Sequence, residues 1–350
     1  APSPRRSASS IPPPLDNGAS FEASGHPSAM ASEALERAGR SRDFFAGDIV
    51  RVATLYANVY LTGPREQWVL VDAGLPGFAN QIRRAAESRY GPGSRPAAII
   101  LTHGHRDHAG SALQLATQWE VPVYAHPLEM PFLTGKSNYA PKDPTVGGIV
   151  GFASRVIPAK PVNLGGRVFP LPADGSVPGA PDWRWIHTPG HTHGHVALFR
   201  ERDRALLAGD ALTTVNQDSP YGAIMRRPEF YRPPAPFTVD WDAAEASVRA
   251  LASLRPTAVG AGHGWPIQGD GTADRLLEFA AHFRRPASGR YAQQPALADE
   301  TGITSLPPSV PDYTGRLIAV WAVTGVAGVA TLLVIQQVKK HRARANEKET

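Results

Sequence analysis

The sequence predicts an α+β domain followed by a helix long enough to cross a membrane, and three observations carry that reading. Between residues 43 and 285, short apolar runs rich in β-branched residues alternate with amphipathic helical stretches. Histidine and aspartate, the residues with metal-ligand and acid–base chemistry, fall directly after several of those runs. Finally, Leu317–Ile335 runs nineteen residues without a charge.

The elements follow in order. Residues 1–42 are rich in Ser, Pro and Ala, include Pro12-Pro13-Pro14 and lack apolar periodicity, so a disordered leader without a signal-peptide core is expected. Ile49–Leu55, Asn58–Leu61 and Trp68–Val71 read as strands, the last two joined as a hairpin across Gly63-Pro64. Phe78–Arg89 reads as a helix whose Ile82, Ala85 and Ala86 form a sheet-packing stripe. The strand Ala97–Leu101, the helix Ser111–Trp119 and the strand Val121–Ala125 complete a β-α-β-α-β run.

Residues 127–160 are loop-rich and hold the aromatics Phe132, Tyr139 and Phe152. Val168–Leu171, Trp183–His187, Val196–Phe199 and Ala205–Ala208 are short strands at turn-punctuated spacing. The helix Asp242–Leu254, the strand Thr257–Val259 and the helix Thr272–His282 close the folded domain, placed at 43–285. Residues 286–314 carry Pro295, Pro307, Pro308 and Pro311 and are expected to be a linker.

The apolar run then gives a transmembrane helix at 315–338, because nineteen residues at about 1.5 Å each approach the roughly 30 Å hydrocarbon core. Its polar content is confined to Thr324 and Thr331, and a basic tail, 339–350, follows it. The positive-inside bias puts that tail in the cytoplasm and the folded domain on the outer side of the membrane. An anchor with the domain facing the cytoplasm is the alternative.

Charge narrows the function. The chain carries +5, but residues from Arg316 onward hold six Lys/Arg against two Asp/Glu. Segment 43–315 has 25 of each and is neutral, without the basic footprint of a nucleic-acid enzyme. Cysteine is absent, which excludes disulfides and thiolate metal sites.

The most informative stretch is Thr102-His103-Gly104-His105-Arg106-Asp107-His108-Ala109-Gly110. It follows an apolar strand, at the end where ligands gather in open α/β architectures. On an extended loop His103 and His105 point the same way, by the period of two. Asp107 and His108, adjacent in sequence, suit a second centre beside the first.

This H-x-H-x-D-H pattern resembles the metallo-β-lactamase fold superfamily of mostly dinuclear metallohydrolases. Its remaining motifs occur in family order: Asp72 in Val-Asp-Ala-Gly, His191 in Thr-Pro-Gly-His-Thr-His-Gly-His, Asp210 in Ala-Gly-Asp, and His263 in Gly-His-Gly. The resemblance implies an αβ/βα sandwich of two mixed sheets flanked by helices. It further implies His103, His105 and His191 around one divalent metal, Asp107, His108 and His263 around a second, and Asp210 bridging. Zinc suits such N/O ligands, and iron or manganese fits them too. A metal-bridging hydroxide would then attack a carbonyl carbon, with Asp107, His108 and Asp210 as the catalytic set.

Around these ligands, Asp72 is placed to accept a hydrogen bond from a ligand imidazole, and His195 to serve as a structural hydrogen-bonding residue. Tyr139 and Tyr221 are candidate donors to a substrate carbonyl. The bridging Asp210 and the lack of cysteine separate this chain from true β-lactamases. Its motifs look most like the glyoxalase II-type thioesterases and the acyl-homoserine lactonases, although the long C-terminal helical region of glyoxalase II is replaced. A membrane-tethered hydrolase of a small-molecule ester, thioester or lactone is therefore expected. The alternatives are a tethered metal-binding protein without turnover and a phosphodiesterase of the same superfamily.

Overall fold

The computed structural model describes residues 43–158, 160–219 and 228–312. The expected leader, the transmembrane segment 315–338, the basic tail and Tyr221 lie outside the described residues. Within them, no helix is long and apolar enough to cross a membrane.

Strands β1 (Phe44–Phe45), β2 (Ile49–Thr54), β3 (Ala57–Thr62) and β4 (Val69–Val71) pair antiparallel in sequence order. Helix α1 (Ala79–Tyr90) then returns the chain to β5 (Ala98–Ile100), parallel to β4. Two short helices, α2 (Arg106–Ala109) and α3 (Ala112–Trp119), lead to β6 (Val123–Ala125). After α4 (Met130–Leu133) and α5 (Gly148–Ser154), β7 (Val168–Pro170) pairs parallel to β6 and completes a seven-stranded mixed sheet.

The second sheet holds β8 (Trp183–His187), β9 (Val196–Arg200), β10 (Ala205–Gly209), β11 (Ala258–Ala261) and β12 (Ile267–Gln268). Helix α6 (Trp241–Ser253) crosses from β10 to the parallel β11, and α7 (Thr272–Ala281) follows β12. Asp240 caps α6 by accepting from the Ala243 amide at 2.9 Å.

Strand alternation builds the layers. Val69, Val71, Ala98 and Ile100 point inward and meet Val196, Leu198, Ala205 and Leu207 between the sheets. Leu70 and Ile99 point outward onto Ile82, Ala86, Leu115 and Ala116 of α1 and α3. Phe199, Leu206 and Val259 do the same toward Val248, Leu251 and Leu276 of α6 and α7. The result is the expected αβ/βα sandwich. Arg200, almost fully buried, pairs with Asp48 at 2.6 Å and Asp203 at 2.7 Å, tying the end of β9 to the turn before β2.

Val168–Leu171, whose sheet the spacing left unassigned, joins the first sheet, where β6 offers an open parallel edge. One expectation changes: residues 286–312 are not a free linker. Strands β13 (Leu297–Asp299) and β14 (Gly302–Ser305) form a hairpin, and Tyr291, Ala292 and Ala296 are buried. The Tyr291 hydroxyl donates to the Pro141 carbonyl at 2.6 Å, and the Ala296 amide to the Val239 carbonyl at 3.0 Å. Proline density suggested an unpaired segment, but its apolar residues find a niche beside Val239 and Trp241 that a distant part of the chain supplies.

Candidate metal centre

The site sits where β5, β10 and β11 end, and each contributes candidate ligands from the loop that follows. Beyond β5 the chain stays extended only to His105 (φ −61°, ψ 151°) and then winds into α2. The amides of His108 and Ala109 bond back to the His105 carbonyl at 2.9 and 2.8 Å. Asp107 and His108 therefore lie on a helical turn, not on the extended loop expected, and they still form a group apart from His103 and His105. His191 comes from the β8–β9 loop, Asp210 from the residue after β10, and His263 from just beyond β11. A Cβ at Gly262 would stand 2.1 Å from Asp210 Oδ1 and 2.6 Å from His108 Cε1, so only glycine fits between those two ligands.

The potential ligand atoms converge as three groups, each within 4.8 Å: His103, His105 and His191; His103, His108 and Asp210; and Asp107, His108 and His263. His105 Nδ1 lies 3.0 Å from both His103 Nε2 and His191 Nε2. Burial, reinforced by neighbouring imidazoles, holds His103 and His191 well below the usual histidine range, and burial pushes His105 down to about 4. Three neutral rings thus face one another with too few protons for the contacts they make.

Opposite them, His263 Nε2 is 3.1 Å from Asp210 Oδ2, and His108 Nε2 and His191 Nε2 are each 3.5 Å from it. Burial opposes charge on His108, yet the carboxylates of Asp210, Asp72 and Asp107 outweigh it and raise the ring well above its ordinary value. Burial likewise opposes the Asp210 carboxylate, and His263 and His108 overrule it, holding Asp210 well below the usual range. His108 Nε2 and Asp210 Oδ1 are buried without a hydrogen-bond partner. Orphaned buried polar atoms, imidazoles and carboxylates at this spacing fit divalent cations with N/O coordination.

The supporting residues fix which atoms face inward. His108 Nδ1 donates to Asp72 Oδ2 at 2.8 Å, leaving Nε2 for the centre. Asp72 also accepts from the Thr102 amide at 2.8 Å and holds a left-handed backbone, φ +60°. His263 Nδ1 donates to the Tyr56 carbonyl at 2.9 Å. His195 Nε2 accepts from the Asp210 amide at 2.8 Å while its other nitrogen donates to Thr188 Oγ1, so both ring nitrogens are engaged within the protein.

Glu129 has no signal in the sequence. Fully buried, it accepts from the Gly104 amide at 2.9 Å, Thr192 Oγ1 at 2.6 Å and the Gly194 amide at 3.1 Å. It thereby joins the His103–His105 loop to the His191 loop. It also accepts the Tyr139 hydroxyl proton. That contact corrects the expectation for Tyr139: its proton is committed to Glu129, and what it presents is a ring 4.7 Å from that of His105.

A cavity of about 720 Å³ opens onto the cluster, lined by His105, Asp107, His191, Asp210 and His263. Its walls are mainly apolar, including Leu75, Ile149, Val150, Ala153, Val215 and Phe237. Arg106, also in the lining, has no hydrogen-bond or ion-pair partner among the described residues.

The sequence pattern of the Metallo-beta-lactamase superfamily matches residues 52–263, and the chain belongs to that family. It is 42% identical over 235 residues to the probable metallo-hydrolase YflN of Bacillus subtilis (strain 168), covering 67% of this chain and 89% of that one. It is 30% identical to the probable metallo-hydrolase YybB of the same organism, covering 57% and 76%. Among solved structures it is similar to the metallo-beta-lactamase family protein TTHA1429 from Thermus thermophilus. The two are 23% identical, with a TM-score of 0.45 and coverage of 67% and 78%.

Glu129→Gln keeps one acceptor oxygen and turns an NH₂ group toward groups that are themselves donors. Metal affinity, measured by competition with a chelator, should fall on the order of tenfold with the fold retained. The pH response of metal-free protein also follows. Between pH 6.5 and about 4, His103, His105 and His191 take up protons when unfolded but not while native, so the unfolded state binds more protons and stability rises with pH. His108 and His263 are raised, and their contribution is fully present throughout that window. The urea midpoint of chelator-treated protein should therefore drop on acidification from pH 6.5 to about 4.

Proposed function

We propose that this chain is a dinuclear metal-dependent hydrolase of a carbonyl ester-type bond, a thioester or a lactone, held at a membrane by its C-terminal run. The observation that carries the reading is the juxtaposition of seven ligand side chains with a largely apolar cavity. The curated relatives described as probable metallo-hydrolases support the reaction class. The uncharged length of Leu317–Ile335 and the basic tail after it support the tether. The same charge asymmetry favours a cytoplasmic tail with the catalytic domain on the other side.

Two divalent cations at His103–His105–His191 and Asp107–His108–His263, with Asp210 between, would supply Lewis acidity and a water acidified to a pKa of about 7. The protein's own part is orientation and enclosure. Asp72 and the Tyr56 carbonyl hold protons on the outward nitrogens of His108 and His263, keeping both Nε2 lone pairs on the centre. Tyr139 and Phe237 pack on His105, with ring centroids 4.7 and 5.9 Å away, and shield it from bulk water. The apolar walls bind the substrate's carbon skeleton, and Arg106 favours a substrate with an anionic group near the reacting bond.

Elemental analysis should find two divalent ions per chain after incubation with zinc, iron or manganese; one ion or fewer would end the dinuclear reading. In a panel of thioesters, carboxylic esters, lactones and phosphodiesters, a carbonyl substrate should be hydrolysed best. His108→Ala should then cost roughly a hundredfold or more, about 2.7 kcal/mol of transition-state stabilisation. Metal binding without turnover of any member would favour the binding-protein reading, and a preference for phosphodiesters the other hydrolase.

A further inference from the structure

The mouth of the cavity carries apolar side chains that the fold leaves uncovered. Leu55 and Tyr56 stand at the tip of the β2–β3 turn, 68% and 45% exposed. Ile149, Phe152 and Val156, from α5 and the turn after it, are 40%, 55% and 85% exposed. Their spacing of three and four residues puts them on one side of that segment. Leu55, Tyr56, Ile149 and Val156 line the same cavity, together with Lys142 and Lys160, neither of which makes an ion pair among the described residues. Exposed apolar residues rimmed by cations mark an interaction surface.

The path of the chain says what covers it. Asp312, the last described residue, is held at this rim by Arg155, whose Nε and Nη2 each donate to its carboxylate at 2.9 Å. Arg155 follows α5 directly and also donates to the Gly151 carbonyl at 3.0 Å. The apolar run begins at Leu317, and five residues span no more than about 18 Å even when fully extended. The start of the proposed anchor is thus confined to the neighbourhood of the helix whose apolar side chains stand uncovered. A free-swinging domain would need a long linker, and the packing of residues 286–312 removes it.

We propose that this mouth face lies on the membrane surface, with Leu55, Phe152 and Val156 in the headgroup–acyl boundary and the lysines at anionic headgroups. An acyl-chain substrate then enters the cavity from the lipid without crossing water. The inference rests on the tether proposed above and adds an orientation to it.

The chain has no cysteine, so a single introduced one can be labelled uniquely. Full-length Phe152→Cys and Val156→Cys chains, carrying an environment-sensitive fluorophore, would be reconstituted in phosphatidylcholine–phosphatidylglycerol vesicles. Leu113→Cys, 41% exposed on α3, is the comparison site. Lipids spin-labelled on the acyl chain should quench the label at 152 and 156, which would lie about 5–10 Å into the boundary, and leave the label at 113 bright. Unquenched labels on a chain that does partition into vesicles would overturn the orientation and leave the tether standing. A chain that stays in the aqueous fraction would overturn both. Concentration-dependent self-quenching between labels at 152 would assign the face to a second copy of the chain and overturn the proposal.

Discussion

Imidazoles and carboxylates face one another at the end of the inter-sheet layer, and most of the local architecture exists to hold them there. His103, His105 and His191 crowd three nitrogens about a common point, while His108 Nε2 and Asp210 Oδ1 stay buried without a partner. Unsatisfied polar groups of this kind cost on the order of 1–3 kcal/mol each unless something completes them. A fold keeps such a cluster only by anchoring its rings from behind. The structure does so with a carboxylate on His108, a main-chain carbonyl on His263 and hydroxyls beside His103 and His191.

That anchoring explains features which look incidental alone. Asp72 adopts φ +60°, a conformation unfavourable for a residue with a Cβ, and its carboxylate then reaches both the Thr102 amide and His108. Glu129 gathers two main-chain amides and two hydroxyls from three loops, so the loop after β5 and the loop before β9 cannot move independently. Gly262 has no room for a side chain because the ligands on either side of it approach too closely. The sheets provide the platform, and these few contacts decide the distances between ligands.

The substrate end is built by different means. Its walls come from α5, the β2–β3 turn and the segment around Phe237, whose apolar groups face the cavity or solvent. Residues 286–312 then pack back over the domain through Tyr291, Ala296 and the β13–β14 hairpin. The described chain ends at Asp312 against Arg155, beside the mouth of the cavity. The His–Asp cluster, the cavity and the end of the packed segment therefore share one end of the sandwich.

The strands, the helices and the gathering of His and Asp directly after strands were legible in the residues themselves, whereas the layer order and the grouping of the candidate ligands came with the family resemblance. Metal coordination demands His and Asp, uncommon residues that are conspicuous at strand ends, and burial on both faces writes β4, β5, β9 and β10 as short continuous apolar runs. Asp72 and His195 were legible for the same reason: each lies within a ligand motif. Choices between remote partners were not. Glu129 sits in Pro-Leu-Glu-Met-Pro, where nothing local marks it, and its role exists only once Gly104 and Gly194 are folded around it. The same holds for the Tyr139 proton, which goes to Glu129, and for β7, which adds to whichever sheet edge is open. The 286–312 segment looked like a linker because its prolines are local while the niche for Tyr291 and Ala296 is not. Local chemistry can be read residue by residue; contacts between distant segments are settled only when the chain closes on itself.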